Sequence, residues 1–568
     1  MADEDGYSNY SASTASTSNQ RTLNPTYFEI IELPPKQITN LYFARLFPAY
    51  FLLTFTLTFE ISICAGYGGI NTIYGMAILQ PAILFFNYSF HSSTARAGMP
   101  LVAKALAADQ YSVSVHTMMS LYLIFMFGVI LCVGLYFGFM NQMVTQFETM
   151  YYVMALLLGS IFSAFQVTMS AFFMVENRGG IMFCRDFIGL CLRTTVLIVV
   201  YNIENNLNHD QKPSLLSPGI AQLISYIVLC IISFVAATQF DTFDLQFSGI
   251  LKFSLKKINP IRPRVIIKLF LNFLPALGCN ATDFVALLLA NYFIIFSIDT
   301  EQEKIIRIIQ NSIFCTFAFI CIKLNTIISE TYIALASTNF GVKKISRVYA
   351  IFKHAAVMGA TISLFMSVIV VVLGRFLIQV FFRKLDDFMY IEDLITRCQD
   401  AMMYAGIYGF QRIISGLGIS AIVVEGLVKQ QLVIVLPRLC TIIGGVVSCH
   451  YLLGSMANYP MIICIGEISG VAAGIPTVVW FWIKYKQVAS TDAKVIKEEE
   501  QLTNNEMVQN IRITIAESIN AEEEDEEMLK AKQGTITGVA NKQLLLRESL
   551  GFRSLASTVD RQSAVLEE

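Results

Sequence analysis

Residues 265–297 read VIIKLFLNFLPALGCNATDFVALLLANYFIIFS, and this run decides the class of the chain. It holds Lys268 near its start, Asp283 in its middle, and otherwise apolar or uncharged polar side chains. At 1.5 Å per residue a helix of this length more than crosses the ~30 Å hydrocarbon core of a bilayer. In lipid the backbone has to satisfy its own hydrogen bonds, and apolar runs of this length do so as helices. The same pattern extends outward in both directions. From Leu41 to Lys484 the chain is a train of apolar runs, each about 20 residues long or more, the length a membrane span needs. The whole chain of 568 residues is 55% apolar and 14% charged, with a mean hydropathy of +0.59. A soluble domain carries about 25% charged residues. The fold class is therefore an all-α polytopic membrane protein.

The runs divide into twelve expected transmembrane helices. The first six are 41–66, 69–91, 117–140, 150–173, 181–201 and 216–238. The second six are 265–297, 305–333, 350–374, 397–424, 430–453 and 459–483. Between the sets lies a polar stretch, 239–264, with Lys252, Lys256, Lys257, Arg262 and Arg264 and the helix breakers Pro260 and Pro263. The expected organisation is a disordered N-terminus (1–40), a six-helix bundle (41–238), the linker (239–264), a second six-helix bundle (265–484) and an acidic tail (485–568). With the N-terminus inside, the inner segments gather most of the basic residues: Arg21, Lys36, Arg96, Lys104, Arg178, the linker cluster, Lys343, Lys344, Arg347 and Lys429. The outer loops hold Lys212, Lys304, Arg375, Arg383 and Lys384. That bias puts both termini in the cytoplasm, in a plasma or internal membrane.

The two halves echo each other. In each, a proline-bearing helix (Pro48, Pro275) leads to a second span and then to a short cytoplasmic segment, Val102–Gln110 or Ile333–Lys344. Parallel copies of this kind are pseudo-symmetric about an axis along the membrane normal, and a transporter built from them keeps its site between the halves. The N-terminus lacks the basic-then-apolar order of a cleavable signal. The tail carries Glu498–Glu500 and Glu522–Glu527, a solvated composition that suits a docking element for a cytoplasmic partner. The twelve cysteines form no metal-ligand spacing and nearly all lie in apolar runs, where they read as free thiols packing as small hydrophobes.

Charges inside spans carry the functional information, because each costs a few kcal/mol unless it faces a cavity or a partner. Asp283 and Glu60 stand on the first helix of each half, with no basic residue one turn away along the helix. Both are expected to face the central cleft and couple transport to an ion, Asp283 as principal and Glu60 as its counterpart. Lys323 and Glu330 lie seven apart with Asn325 between them, as an internal pair lining the cavity or as a snorkelling lysine with an interfacial acid. Asp186 and Arg193, also seven apart, share a helix face and form a candidate ion pair, while Arg185 points elsewhere. Glu425 and Glu467 fall near span ends and read as interface residues. No P-loop, GxSxG or HExxH motif is present, so no enzyme class is indicated. Nor is there a basic arm or motif for nucleic acid. The expected partners are the bilayer and a small-molecule solute, with no cofactor beyond a proton or sodium gradient.

The order of these features resembles the MATE (multidrug and toxic compound extrusion) family over residues 38–486. Glu60 followed by Gly68–Gly69 looks like the family's acid and glycine pair. Val102-Ala-Lys-Ala-Leu-Ala-Ala-Asp109 is similar to its "VAQALGAGD" turn, and Ala336-Ser-Thr-Asn-Phe-Gly341 to its "GQNLG". Pro275, Cys279 and Asp283 resemble the eukaryotic-type seventh helix, and Glu425-Gly426 the "RG" closing the tenth. Leu288 replaces the second acid of that seventh helix, Gln411 stands where the tenth helix has one, and Glu425 replaces the arginine. The resemblance implies a secondary exporter of organic, cationic or xenobiotic solutes working by alternating access, with Asp283, Glu60 and Gln411 among its site residues; Glu330 and Asn325 join them from their place inside the eighth span. The readings left beside it are a flippase for a lipid-linked saccharide or other lipid precursor, and a channel or non-transporting scaffold.

Overall fold

Why the chain is helical follows from its run lengths, and where the helices break follows from a few glycines and prolines. The computed structural model describes residues 30–107, 117, 120–123, 147–207, 215–238, 263–383, 385, 388–427 and 430–490. Among these there is no strand. The helices are α1 (Pro35–Leu84), a π-helical turn (Phe85–Phe90), α2 (His91–Ala107), α3 (Phe147–Val175), α4 (Gly179–Leu207) and α5 (Leu216–Thr238). The C-terminal set is α6 (Pro263–Ser297), α7 (Glu301–Gly341), α8 (Ile345–Phe382), α9 (Ile391–Glu425), α10 (Gln431–Leu453) and α11 (Tyr459–Ser490). Eight described helices are long and apolar enough to cross a membrane. The expected third span apart from Thr117 and 120–123, the linker up to 262, and residues 1–29 and 491–568 of the two polar ends lie outside the described residues. Of the N-terminus expected to be disordered, residues 35–40 are the start of α1; Pro263 and Arg264 of the expected linker open α6, and residues 485–490 continue α11. The other expected spans each fall on a described helix.

The first two spans are two helical segments that meet at a kink at Gly69, whose φ of 68° and ψ of −166° suit glycine alone, so the chain breaks where the first span was expected to give way to the second. Two boundaries differ from expectation. The second span does not stop at residue 91; it passes through the π turn and continues to Ala107. In the other half α7 likewise runs past residue 333 to Gly341. The expected cytoplasmic segments are thus helical over 102–107 and 333–341, where they pack on each other. A Cβ added at Gly341 would stand 2.6 Å from the Cβ of Ala107. Lys104 adds an N–H bond of 2.6 Å to the carbonyl of Val424 near the end of α9.

Proline within the bilayer leaves a carbonyl without its donor, and a neighbouring helix can supply one. Pro81 cannot donate to Ala77, and the Asn291 side chain of α6 donates to that carbonyl instead at 3.3 Å. Close helix approach uses glycine, as lipid-embedded packing favours. At Gly409 of α9 an added Cβ would meet the Cβ of Cys321 on α7 at 2.3 Å. That contact brings the Gly409 carbonyl within 2.7 Å of Asn325 Nδ2.

Helix α7 is the organising element. It is buried along most of its length and packs against α1 and α2 as well as α8 and α9. One face of this C-terminal helix therefore belongs to the N-terminal set. Polar contacts mark the seam: Gln80 donates to Thr316, Tyr88 bonds Thr326, and Tyr50 donates to Glu330.

Candidate functional site

The seam opens into a cavity of about 140 Å³ lined by α1, α2, α3, α4 and α5 on one side and by Phe319, Lys323 and Glu330 of α7 on the other. Water occupies about 30 Å³ per molecule, so the space holds only a few. Drug-sized pockets run to roughly 300–1,000 Å³. A larger solute requires this wall to move.

Glu330 reaches the cavity from α7 and is buried. It accepts from the hydroxyl of Tyr50 and from that of Ser92 at 3.3 Å, so its two partners belong to the N-terminal helices. Lys323 lies two turns earlier on the same helix, about 10 Å away at 1.5 Å per residue. Its Nζ stands 4.7 Å from the ring centroid of Tyr88, 5.4 Å from Tyr50 and 5.7 Å from Phe319. Both residues line the cavity, yet they are not within ion-pair distance of each other. On the facing wall Arg185 Nε bonds Asp186 at 2.8 Å, and its Nη1 reaches Ser170 at 2.8 Å and the Gln166 carbonyl at 3.2 Å.

The expected Asp186–Arg193 pair does not form. Successive helical residues point 100° apart, but the arginine side chain is long enough to bend back onto its neighbour, and Arg185 takes Asp186. Arg193 turns instead to α1 and pairs with Glu60. Glu60 is thus neither unpaired nor part of the cavity lining; its neutralising base comes from another helix.

Asp283 has the same fate in the other half. Arg438 of α10 donates to its Oδ1, and Arg412 Nε lies 3.8 Å from its Oδ2. Arg438 also bonds Glu467, the Cys279 carbonyl and the Tyr408 oxygen, the last at 2.9 Å. Ser415 joins Glu467 at 2.9 Å and accepts from Arg412 at 3.1 Å. Glu467, expected at an interface, is fully buried here because it faces Arg438 of α10, which neutralises it. Two acids and two arginines cancel in a closed, buried cluster that does not touch the cavity. Asn325 faces α9 rather than the cavity, and half-buried Gln411 also lies away from it.

Arg438, Tyr50 and Ser92 were not among the expected residues. The echo between halves contains the signal for the first. Glu60 with Arg193 joins the first and fifth expected spans of one half, and Asp283 with Arg438 joins the corresponding spans of the other.

These features define a polytopic helical membrane protein with a polar cavity at the seam between its two sets of helices. No family model matches the sequence, and no curated protein matches it. Solved structures do, and the fold they share with this chain is that of MATE transporters of the MOP superfamily. An outward-facing multidrug-resistance MATE transporter matches at 13% identity and a TM-score of 0.61, over 82% of this chain and 98% of its own. An inward-facing one matches at 12% and 0.53, over 78% and 96%. A MOP-superfamily transporter from Pyrococcus furiosus, described as having a binding pocket of reversed polarity that suggests a different function, matches at 13% and 0.60, over 82% and 98%.

Proposed function

We propose that this protein is a secondary transporter that moves an organic solute across the membrane by alternating access, using a proton or sodium gradient. The observation that carries the proposal is the wall of the cavity. Its two ionisable α7 residues meet the N-terminal helices through hydroxyls and ring faces, contacts that break when the halves separate. Glu330 is the coupling carboxylate in this reading. It faces the cavity without an ion-paired base, whereas Asp283 and Glu60, expected in that role, are each bound to arginine. The fold shared with both outward-facing and inward-facing transporters supports a rocking motion.

The expectation of a cationic solute came from the family resemblance, with Asp283 and Glu60 as the acids to couple it, and both acids are bound to arginine. The test is flux in proteoliposomes with labelled organic cations and anions under imposed pH and sodium gradients. Saturable uptake that follows one gradient is the expected result. An ohmic current instead, or no flux of any solute, contradicts the transporter reading.

A further inference from the structure

Among the described residues, Lys323 is the one cavity cation whose donors go unused. Arg185 and Arg193 also line the cavity, but each has a carboxylate partner. No carboxylate of the described residues lies within 4.0 Å of the Lys323 ammonium, and no hydrogen-bond acceptor among them reaches it. An ammonium carries three N–H donors, and contact with ring faces satisfies its charge only in part. The side chain is half-buried and open to the cavity. Glu330 stands two turns along α7, outside ion-pair and hydrogen-bond distance, and holds the hydroxyls of Tyr50 and Ser92. The polar space thus presents a cation with vacant donors, set among the flat faces of Tyr50, Tyr88 and Phe319.

We propose that Lys323 binds the anionic group of the transported solute, a carboxylate, sulfonate or phosphate, with Tyr50 and Phe319 of the cavity lining beside the apolar body attached to it. The proposal rests on the transport reading for the identity of the site, but binding can be measured without transport. A cationic solute is disfavoured by the same geometry. It would enter beside an ammonium of like charge.

The experiment is equilibrium binding to the purified full-length protein in detergent. The labelled probes are benzoylglycine as a soluble aromatic carboxylate, dihexanoylphosphatidylglycerol as an anionic lipid, and tetraphenylphosphonium as an apolar cation. At least one anion should bind saturably, Lys323→Gln should weaken it roughly tenfold or more, and Lys323→Arg should retain it, as expected for a charge-assisted hydrogen bond. Benzoylglycine binding identifies a soluble solute as the source of the anion, and binding of the lipid alone identifies a lipid.

The proposal is overturned if only the phosphonium binds, if no anion binds, or if a folded Lys323→Gln binds anions as tightly as wild type. Should Lys323→Gln fail to fold, displacement from the wild type decides. Competition by benzenesulfonate but not by benzyl alcohol supports the anion site, and equal competition overturns it. Gradient-driven flux of tetraphenylphosphonium without anion binding sinks this inference and leaves the transport reading intact. Lys323-dependent anion binding without flux of any solute does the reverse.

Discussion

Asp283→Asn is expected to damage folding more than coupling. Arg438 is completely buried and shares its guanidinium between Asp283 and Glu467. Removing the Asp283 charge leaves Arg412 and Arg438 with a single carboxylate between them. Breaking a buried ion pair from one side costs ~3–5 kcal/mol, because the remaining charge stays desolvated and uncompensated. That is a large share of a typical net stability of ~5–15 kcal/mol. The detergent-solubilised variant should therefore melt well below wild type and elute largely as aggregate. The charge-balanced double variant Asp283→Leu with Arg438→Met should recover much of the loss, since replacing a whole buried pair by apolar groups of similar volume is often neutral or better. Melting temperature and monodispersity of the three proteins check this. An Asp283→Asn protein that melts like wild type but transports nothing would return Asp283 to the coupling role that its place in the sequence suggests.

Glu330→Gln is expected to show the opposite pattern: normal folding and no coupled transport. Its partners are hydroxyls, which both donate and accept, so Tyr50 and Ser92 can bond the amide as well as the carboxylate. No arginine or lysine within ion-pair distance loses a partner. What disappears is the one cavity acid among the described residues that can exchange a proton or bind sodium without first breaking a salt bridge. Accumulation driven by an imposed gradient should fall to the level of protein-free vesicles, while the melting temperature stays close to wild type. Retained gradient-driven accumulation in this variant would exclude Glu330 from coupling.

Much of the fold could be read from local sequence, because local features cause it. Run length produced the helices, and the break between the first two spans falls at Gly69, the residue whose backbone conformation needs glycine. The ends of α2 and α7 read as cytoplasmic segments beyond the spans, since what holds them as helix is their packing on one another, which no local feature of either announces. The site was less accessible. That Lys323 and Glu330 belong to one wall follows from their spacing, a helical property. The partners of Glu60 and Asp283 lie 133 and 155 residues away, and no local pattern announces them. Distance along a single helix was the wrong test for a neutralising base, because in a bundle the base comes from the next helix. The better signal was the repeat itself, with an acid on the first span and an arginine on the fifth span of each half. Tyr50 carried no such mark, its role depending on the contact between α1 and α7.

The most direct measurement of whether the cavity is the transport path is alkylation of a cysteine placed in its wall. Val167 of α3 lines the cavity opposite α7 and takes part in neither the Arg185 network nor the Glu330 contacts. Val167→Cys, reconstituted in proteoliposomes and treated with a bulky methanethiosulfonate reagent, should lose saturable solute flux, while wild-type protein with its native thiols keeps it. The presence of solute should slow the modification. Complete modification of Cys at position 167, verified by mass, with flux unchanged would contradict passage through this cavity.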